Sequence, residues 1–414
     1  RRGKPWLNFP VLAIPKTMRA VVYRGANDLR LETVPVPRIG AHELLVQVAV
    51  CGVCPTDIKK IRHGTVPPPR IFGHETAGTI VKIGGNRTSL EIPSPIGWES
   101  VAAGRVRVGD RVALHHHVPC LDCHFCRHRA FAQCATYKRT GITAGFEPAG
   151  GGYAEYVRVM PFVLPGVVKI PARNSFEEGA LLEPVNTVLK AVRRLNLLRG
   201  DAVLVAGQGP IGLMFTRLLQ LRGVRVLATD LFPSRLRLAR KFGARWVGLV
   251  RSPQSLVRSL RTTVNCGLET LDCAVIAVPS DDVVLQALQL VRTGGQVLLF
   301  AHTKRAASVE SREPRVESKK IPTLDPHPLG AAKRSEAGST LDFSSICLDE
   351  KDLIGSYSSD FTLQKEVARL VFSRQLDVRR LITHYFPLAE TANAVALAAQ
   401  PTPHSLKIMV RADA

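Results

Sequence analysis

Three side chains in residues 51–75, CGVCPTDIKKIRHGTVPPPRIFGHE, carry metal-binding chemistry: Cys54 offers a thiolate, His74 an imidazole and Glu75 a carboxylate. A mixed S, N and O set suits zinc, and fewer than four firm protein ligands leave a position for water or substrate. An ion left open in this way acts as a Lewis acid and brings a bound water or alcohol toward a pKa of ~7. On these residues alone, a buried cysteine and a surface His–Glu pair read equally well. A second set is more specific. Cys120, Cys123, Cys126 and Cys134 in CLDCHFCRHRAFAQC are spaced Cys-x2-Cys-x2-Cys-x7-Cys, so that one short loop can wrap a tetrahedral ion. Four thiolates fill the shell, which makes this site structural; four unrelated thiols or an iron–sulfur site are the alternatives. His115, His116 and His117 cannot all join one ion, because adjacent residues on a strand face opposite ways.

A further carboxylate, Glu183, falls in the apolar run LLEPVN before Pro184. Burial of a carboxylate is costly unless it is paired or metal-bound, so Glu183 is a fourth donor or a partner of the metal's water, with a half-exposed helix-end acid as the plain alternative. The stretch DAVLVAGQGPIGLMFTRLLQLRGVRVLATD adds a dinucleotide signature. An apolar strand at 202–206 runs into Gly207-x-Gly209-x-x-Gly212 and a helix, and a second strand ends at Asp230. Gly207 permits the tight turn, Gly209 the approach of a pyrophosphate and Gly212 the close helix–strand packing, with the helix N-terminus facing the phosphates. Asp230 would accept hydrogen bonds from an adenine ribose and repel a 2′-phosphate, favouring NAD; Arg235 nearby keeps NADP as the lesser option.

The elements that must position these residues fall into two kinds. From Met18 to about Val112, short alternating runs (RAVVY, LRLETV, ELLVQVAV, TAGTIVKIG, DRVAL) predict a mostly β domain. NRTSLEIPSPIGWESVAA, within 86–104, has no clear period and reads as an inserted loop. SFEEGALLEPVNTVLKAVRRL reads as helical, with Ser175 and Glu178 as a capping box. After the glycine motif, strands and helices alternate (RWVGLV, a helix near 253–262, LDCAVIAV, a helix at 282–292, GGQVLLFA), which predicts a doubly wound parallel sheet, an α/β architecture. A charged, proline-containing, serine-rich segment at 304–341 interrupts it as a long insertion. DLIGSY, a helix after Asp360, a strand around LITHYF, a helix at 388–399 and the strand SLKIMV close the pattern. Residues 1–17 read as an extension, with Met18 the expected natural start.

Size and charge narrow the function. A chain of 414 residues predicts two domains, or three. The net charge of +22 could mark a nucleic-acid partner, but the arginines are scattered through helices and only 6% of residues are aromatic, so no stacking platform accompanies them. No run approaches the ~18–20 apolar residues needed to span a bilayer. Nine cysteines, four of them within fifteen residues, suit thiolates held by metal in a reducing cytoplasm, with Cys51, Cys266, Cys273 and Cys347 as isolated thiols.

With GVCPTD, GHE, the four-cysteine lobe, GGYAEY, LLEPVN and the glycine motif in order, residues 18–303 and 342–414 resemble the zinc-dependent medium-chain alcohol and polyol dehydrogenases, especially the sorbitol and threonine dehydrogenase branch. The resemblance implies a GroES-like catalytic domain over 18–187 with the zinc lobe at 115–137, a Rossmann domain over 188–361 and a return to the catalytic domain over 362–414. It implies a catalytic zinc on Cys54 (not Cys51), His74 and Glu75, with Glu183 a ligand or water-linked, and a structural zinc on Cys120, Cys123, Cys126 and Cys134. Thr56 would bond the substrate hydroxyl and pass on its proton, and Asp57 would hold His74. Gly207, Gln208, Gly209, Pro210, Ile211, Gly212, Asp230 and Arg235 would bind NAD, and a polyol, sugar alcohol or amino alcohol would be oxidised. Such proteins are commonly dimers or tetramers. Lys59 stands where many relatives have a relay histidine, and His302 where a glycine is expected. A non-catalytic zinc-binding relative, or a charge-driven nucleic-acid-associated protein, is the alternative.

Overall fold

The computed structural model describes residues 14–92, 104–115, 118–138, 150–250, 270–301 and 343–412. In chain order the first part contains β1 (Thr17–Gly25), β2 (Asp28–Pro35), β3 (Leu44–Gly52), α1 (Pro55–His63), β4 (Arg70–Ile71), β5 (Glu75–Ile83), β6 (Ser89–Ile92), β7 (Gly104–Arg107) and β8 (Arg111–Leu114). The lobe holds α2 (His124–Arg127) and α3 (Ala135–Lys138); β9 (Tyr156–Val159), β10 (Val167–Lys169), α4 (Phe176–Ala180) and α5 (Leu182–Arg193) follow. Then come β11 (Ala202–Ala206), α6 (Pro210–Leu221), β12 (Arg225–Asp230), α7 (Pro233–Lys241), β13 (Trp246–Leu249), β14 (Leu271–Ile276), α8 (Asp281–Leu290), β15 (Val291–Leu299), α9 (Phe343–Leu348) and β16 (Asp352–Gly355). The chain closes with α10 (Gln364–Phe372), β17 (Ile382–Pro387), α11 (Thr391–Ala399) and β18 (Lys407–Arg411).

Two large sheets organise these elements. Six parallel strands lie in the order β13-β12-β11-β14-β15-β16. All five residues of β11 are buried, as expected of a central strand covered by helices on both faces. The other sheet runs β10-β8-β5-β3-β18-β17, with β9 also paired to β3. Its last two strands come from the end of the chain and are parallel to one another, joined by the α11 crossover. β18 pairs antiparallel with β3, setting Met409 opposite Gly52. One apolar core spans both sheets: Val50 and Ala77 from the second share it with Val185, Val188 and Phe215. The helix α5 therefore lies between the halves, with Glu183 buried in its first turn.

Two expectations are corrected. The segment 175–195 is two helices, broken at Leu181. Pro184 has no N–H to offer the Ala180 carbonyl, so one helix cannot run through. The capping box itself forms: Ser175 Oγ accepts from the Glu178 amide at 3.2 Å and Glu178 Oε2 accepts from the Ser175 amide at 2.7 Å. The segment 86–104 is not simply a loop, because its ends pair as the β6–β7 hairpin, Ser89 opposite Arg107 and Ile92 opposite Gly104. Leu90, Ile92 and Val106 bury one face of that ribbon in the β core, an alternation only four residues long. The expected helix near 253–262, the insertion 304–341, His116, His117, Cys266 and His302 lie outside the described residues. The helix expected at 282–292 spans Asp281–Leu290, and β15 begins directly after it.

Candidate metal and cofactor sites

Cys54 sits at the N-cap of α1, where its extended backbone turns into the helix, and Pro55 supplies the fixed φ that suits the first helical position. His74 precedes β5 and Glu75 opens it, paired across the ladder with Gly52. One donor atom from each of Cys54, His74 and Glu75 lies within 4.8 Å of the others. Tetrahedral donors at ~2.0–2.3 Å from zinc stand roughly 3.3–3.8 Å apart, so a small closure onto an ion completes the set. His74 Nδ1 faces Asp57 Oδ2 at 3.1 Å, with the carboxylate fully buried, which leaves the other ring nitrogen for an ion. Burial opposes charge on His74, yet Asp57 and Cys54 outweigh it and raise its pKa well above the ordinary value. Burial likewise opposes charge on Asp57, but His74 holds it below the usual carboxylate range. A half-buried thiol that converges with a buried imidazole and a buried carboxylate fits a cation.

Cys51, three residues earlier, is a different kind of thiol. It points into the core of β3 beside Thr76 Oγ1 at 3.4 Å, and burial pushes its pKa up to about 12. Glu183 does not join the close trio. Burial pushes its carboxyl up to about 7, against the pull of His74, so it faces the same charged cluster from α5. Thr56 lies half-buried in the first turn of α1, and Lys59 stands one turn on, its pKa lowered by burial.

One member of this cluster is absent from the sequence reading. Lys407, at the start of β18 and buried, forms an ion pair with Glu75 Oε2 and donates to the Val53 carbonyl at 2.9 Å. Burial opposes its charge, but Glu75 and Cys54 raise its pKa above the ordinary lysine value. Gly52 makes room for the pair: a Cβ there would run into Glu75 Oε2 and Lys407 Cε. Nothing in the local pattern of SLKIMV marks Lys407, because its partner lies more than three hundred residues away.

The four cysteines converge more tightly. Sγ atoms of Cys123 and Cys126 are 3.5 Å apart, Cys120 and Cys134 3.6 Å, and Cys120 and Cys126 3.9 Å. Sulfurs at ~2.3 Å from a tetrahedral ion stand about 3.8 Å apart, whereas a disulfide needs ~2.05 Å. Burial and the neighbouring thiols push Cys126 up to about 12, so the four cannot all ionise without a cation among them. Amides of Cys120 and Cys123 donate to sulfurs of the set at 3.4 Å. Tyr137 seals the lobe onto the rest of the chain through Ser359, whose Oγ is 3.0 Å from the phenol oxygen and 3.3 Å from His115 Nε2. His115 is thus buried in a packing role, apart from both metal sets.

In the parallel sheet, Gly207 has φ 91°, a left-handed turn that a side chain would strain, and a Cβ on Gly212 would strike the Gly207 carbonyl. Gly209, the N-cap of α6, has open space where its Cβ would point. That opening at a helix N-terminus, with Pro210 and Ile211 in its first turn, leaves room for the close approach of an anionic group such as a pyrophosphate. Asp230 Oδ2 accepts from the Gln208 amide at 2.6 Å and Oδ1 from the Phe232 amide at 2.9 Å. The Gln208 side chain turns inward, bonding the Val205 carbonyl and Thr216. Arg235 is also held: it lies 3.8 Å from Asp230, stacks over Phe232 and donates to the Ser405 carbonyl at 3.1 Å. Ser234 Oγ donates to the Pro403 carbonyl at 2.6 Å beside it.

Two family models match: "Alcohol dehydrogenase GroES-like domain" over residues 40–172 and "Zinc-binding dehydrogenase" over 210–321. The chain belongs to the zinc-dependent medium-chain alcohol and polyol dehydrogenase family. The dehydrogenase is 28% identical over 385 residues to a sorbitol dehydrogenase of Bombyx mori, covering 92% of this chain and 94% of that one. It is 32% identical over 238 residues to an erythritol/L-threitol dehydrogenase of Mycolicibacterium smegmatis, covering 56% of this chain and 62% of the relative. The solved alcohol dehydrogenase of Thermus sp. ATN1 superposes with a TM-score of 0.70 at 26% identity, covering 95% of this chain and 99% of that one. Zinc and NAD(P) are the cofactors of this dehydrogenase, and neither a non-catalytic nor a nucleic-acid role is favoured. No helix among the described residues is long and apolar enough to cross a membrane.

Proposed function

We propose that the dehydrogenase oxidises a polyol, sugar alcohol or amino alcohol with NAD, using Cys54, His74 and Glu75 to hold the catalytic zinc and the four cysteines to hold a second, structural one. The observation that carries the assignment is the convergence of a thiol, an imidazole and a carboxylate beside the buried Asp57. A zinc ion held by these three residues would supply Lewis acidity toward a substrate hydroxyl, and a bound NAD would supply the hydride acceptor. Asp57 fixes the His74 tautomer and orientation. Lys407 compensates the charge of Glu75, and Glu183, its carboxyl pushed up to about 7 by burial and so only partly ionised at neutral pH, closes the site from α5 without adding a full negative charge. Thr56 receives the substrate proton and passes it outward.

On the cofactor side, the backbone at Gly207, Gly209, Pro210, Ile211 and Gly212 cradles the pyrophosphate, and Asp230 takes the ribose. Gln208 contributes its amide through Asp230, since its side chain is buried. Arg235 is engaged with the 402–405 turn, which supports NAD over NADP. We assign a cytoplasmic setting and a homo-oligomeric state on the family's habit. An activity screen over polyols, threonine-like amino alcohols and simple alcohols with both cofactors tests the reading. NADH formation that Cys54→Ser abolishes is expected, and absence of turnover across the panel sinks it.

A further inference from the structure

A cleft of about 840 Å³ opens between the cysteine lobe and the carboxyl ends of β15 and β16. None of Cys54, His74, Glu75 or Glu183 lines it. Its volume is that of a small-ligand site, and the carboxyl ends of parallel strands are where open α/β sheets receive ligands. One wall is the end of α5, which brings Lys190, Arg193 and Arg194 to the cleft at i, i+3 and i+4, positions that share one helix face. The lobe contributes Arg129 beside His128, with Arg129 in a left-handed backbone, φ 56°. Among the described residues of the lining, one carboxylate, Asp360, stands against these four cations, and its Oδ1 already accepts from the Thr362 amide and hydroxyl.

Like charges at these spacings repel, so the cluster is unfavourable by itself. Glu366 answers only Arg193, at 2.6 Å. Lys190 donates to the Tyr357 carbonyl at 2.9 Å and Arg194 to that of Gly355, contacts that anchor the heads at the cleft. An arginine has five N–H donors and a lysine three, more than Lys190, Arg193 and Arg194 use in these contacts. Burial lowers the Lys190 pKa; Asp360 works against that and Arg194 adds to it. A bound anion would relieve all of this at once.

The geometry points to a binding site for a small phosphate-bearing ligand, held by Arg193, Arg194 and Lys190 from α5 and by Arg129 from the lobe. Planar guanidinium forks match the oxygens of a phosphate, and a pair of them beside an ammonium gives the convergent donors such a group needs. The site is separate from the metal trio: seven residues of helix between Glu183 and Lys190 amount to about 10 Å. It is also separate from the α6 N-terminus, since no residue of the glycine motif lines the cleft. The inference rests on none of the metal chemistry.

The test is calorimetric titration of the zinc-loaded, NAD-saturated protein with inorganic pyrophosphate and, in a second arm, with glycerol 3-phosphate. Saturating NAD fills the cofactor's own phosphate cradle. Binding of either probe is expected, tighter for pyrophosphate if the natural ligand is a free phosphate and tighter for glycerol 3-phosphate if it is an ester. The pair Arg193→Gln with Arg194→Gln should weaken binding at least tenfold, while Arg379→Gln with Arg380→Gln, which removes the same charge elsewhere, should change it less than twofold. Should the α5 pair fail to fold, Arg129→Asn on the lobe side gives the same readout. Absence of binding by both probes, or equal weakening in the site and control variants, overturns the proposal and leaves the cations serving only the end of the helix.

Discussion

The cysteine lobe and the Cys54–His74–Glu75 trio each bring together donors that could hold a metal ion, yet they are built in opposite ways. The lobe draws four like donors from fifteen consecutive residues, and its sulfurs stand at near-tetrahedral spacing. The trio draws three unlike donors from a helix N-cap and a strand start, then relies on Asp57 and on Lys407 from the end of the chain. A closed shell can be made by a short loop alone. An open one must keep a position vacant against collapse, and rigid elements far apart in sequence do that.

The largest effect expected from breaking this contrast is at the lobe. Cys134→Ser should remove one zinc per chain and a binding term on the order of 10 kcal/mol from local folding, seen as a lower zinc count and a separate early thermal transition. An unchanged zinc count would show that the four thiols hold no ion. Next comes Cys54→Ser, which should lower NADH formation ~10³-fold or more while the lobe's zinc and the thermal midpoint stay, because several kcal/mol of charge stabilisation go with the ion. Loss of both metals together would erase the distinction between the sites. Asp57→Asn should weaken the open site's metal affinity by ~10–100-fold and leave the lobe untouched, measured by competition with a chelator. Equal release from the two sites would count against the role of Asp57.

The smallest effect lies outside both metal sites and sharpens the contrast by pH. Burial opposes charge on Glu178, but Arg374, the Ser175 amide and Asn174 hold its pKa below the ordinary 4.5. A depressed carboxylate contributes stability fully above its unfolded pKa and loses it as pH falls through the folded one. Glu178→Gln should therefore cost ~1–3 kcal/mol at pH 7 in urea unfolding, with the gap to wild type closing below about pH 4.5. A gap that persists at pH 3 would assign the cost to packing instead.

What could be read from the sequence follows the same division. The four cysteines, the Ser175–Glu178 box and the glycine motif are set by spacing within at most fifteen consecutive residues, and each is legible in the sequence alone. The alternation of strand and helix likewise showed the parallel sheet. Lys407 was invisible because its meaning lies in strand pairing across the whole chain, and Gly52 because its reason is a side-chain pair it must not crowd. The inward turn of Gln208 and the capture of Arg235 by the 402–405 turn are tertiary facts that no window of residues contains. The β6–β7 ribbon was missed for a simpler reason: four residues are too few for an alternating pattern to stand out beside two prolines.

The turn at 402–405 touches Ser234 and Arg235 on the nucleotide side, and two residues later the chain delivers an ammonium to Glu75. That short strap acts as a splint across the two halves. A swing of one half away from the other would have to stretch the strap or drag Lys407 off its carboxylate, so the electrical environment of the metal pocket is tied mechanically to whatever grips the nucleotide.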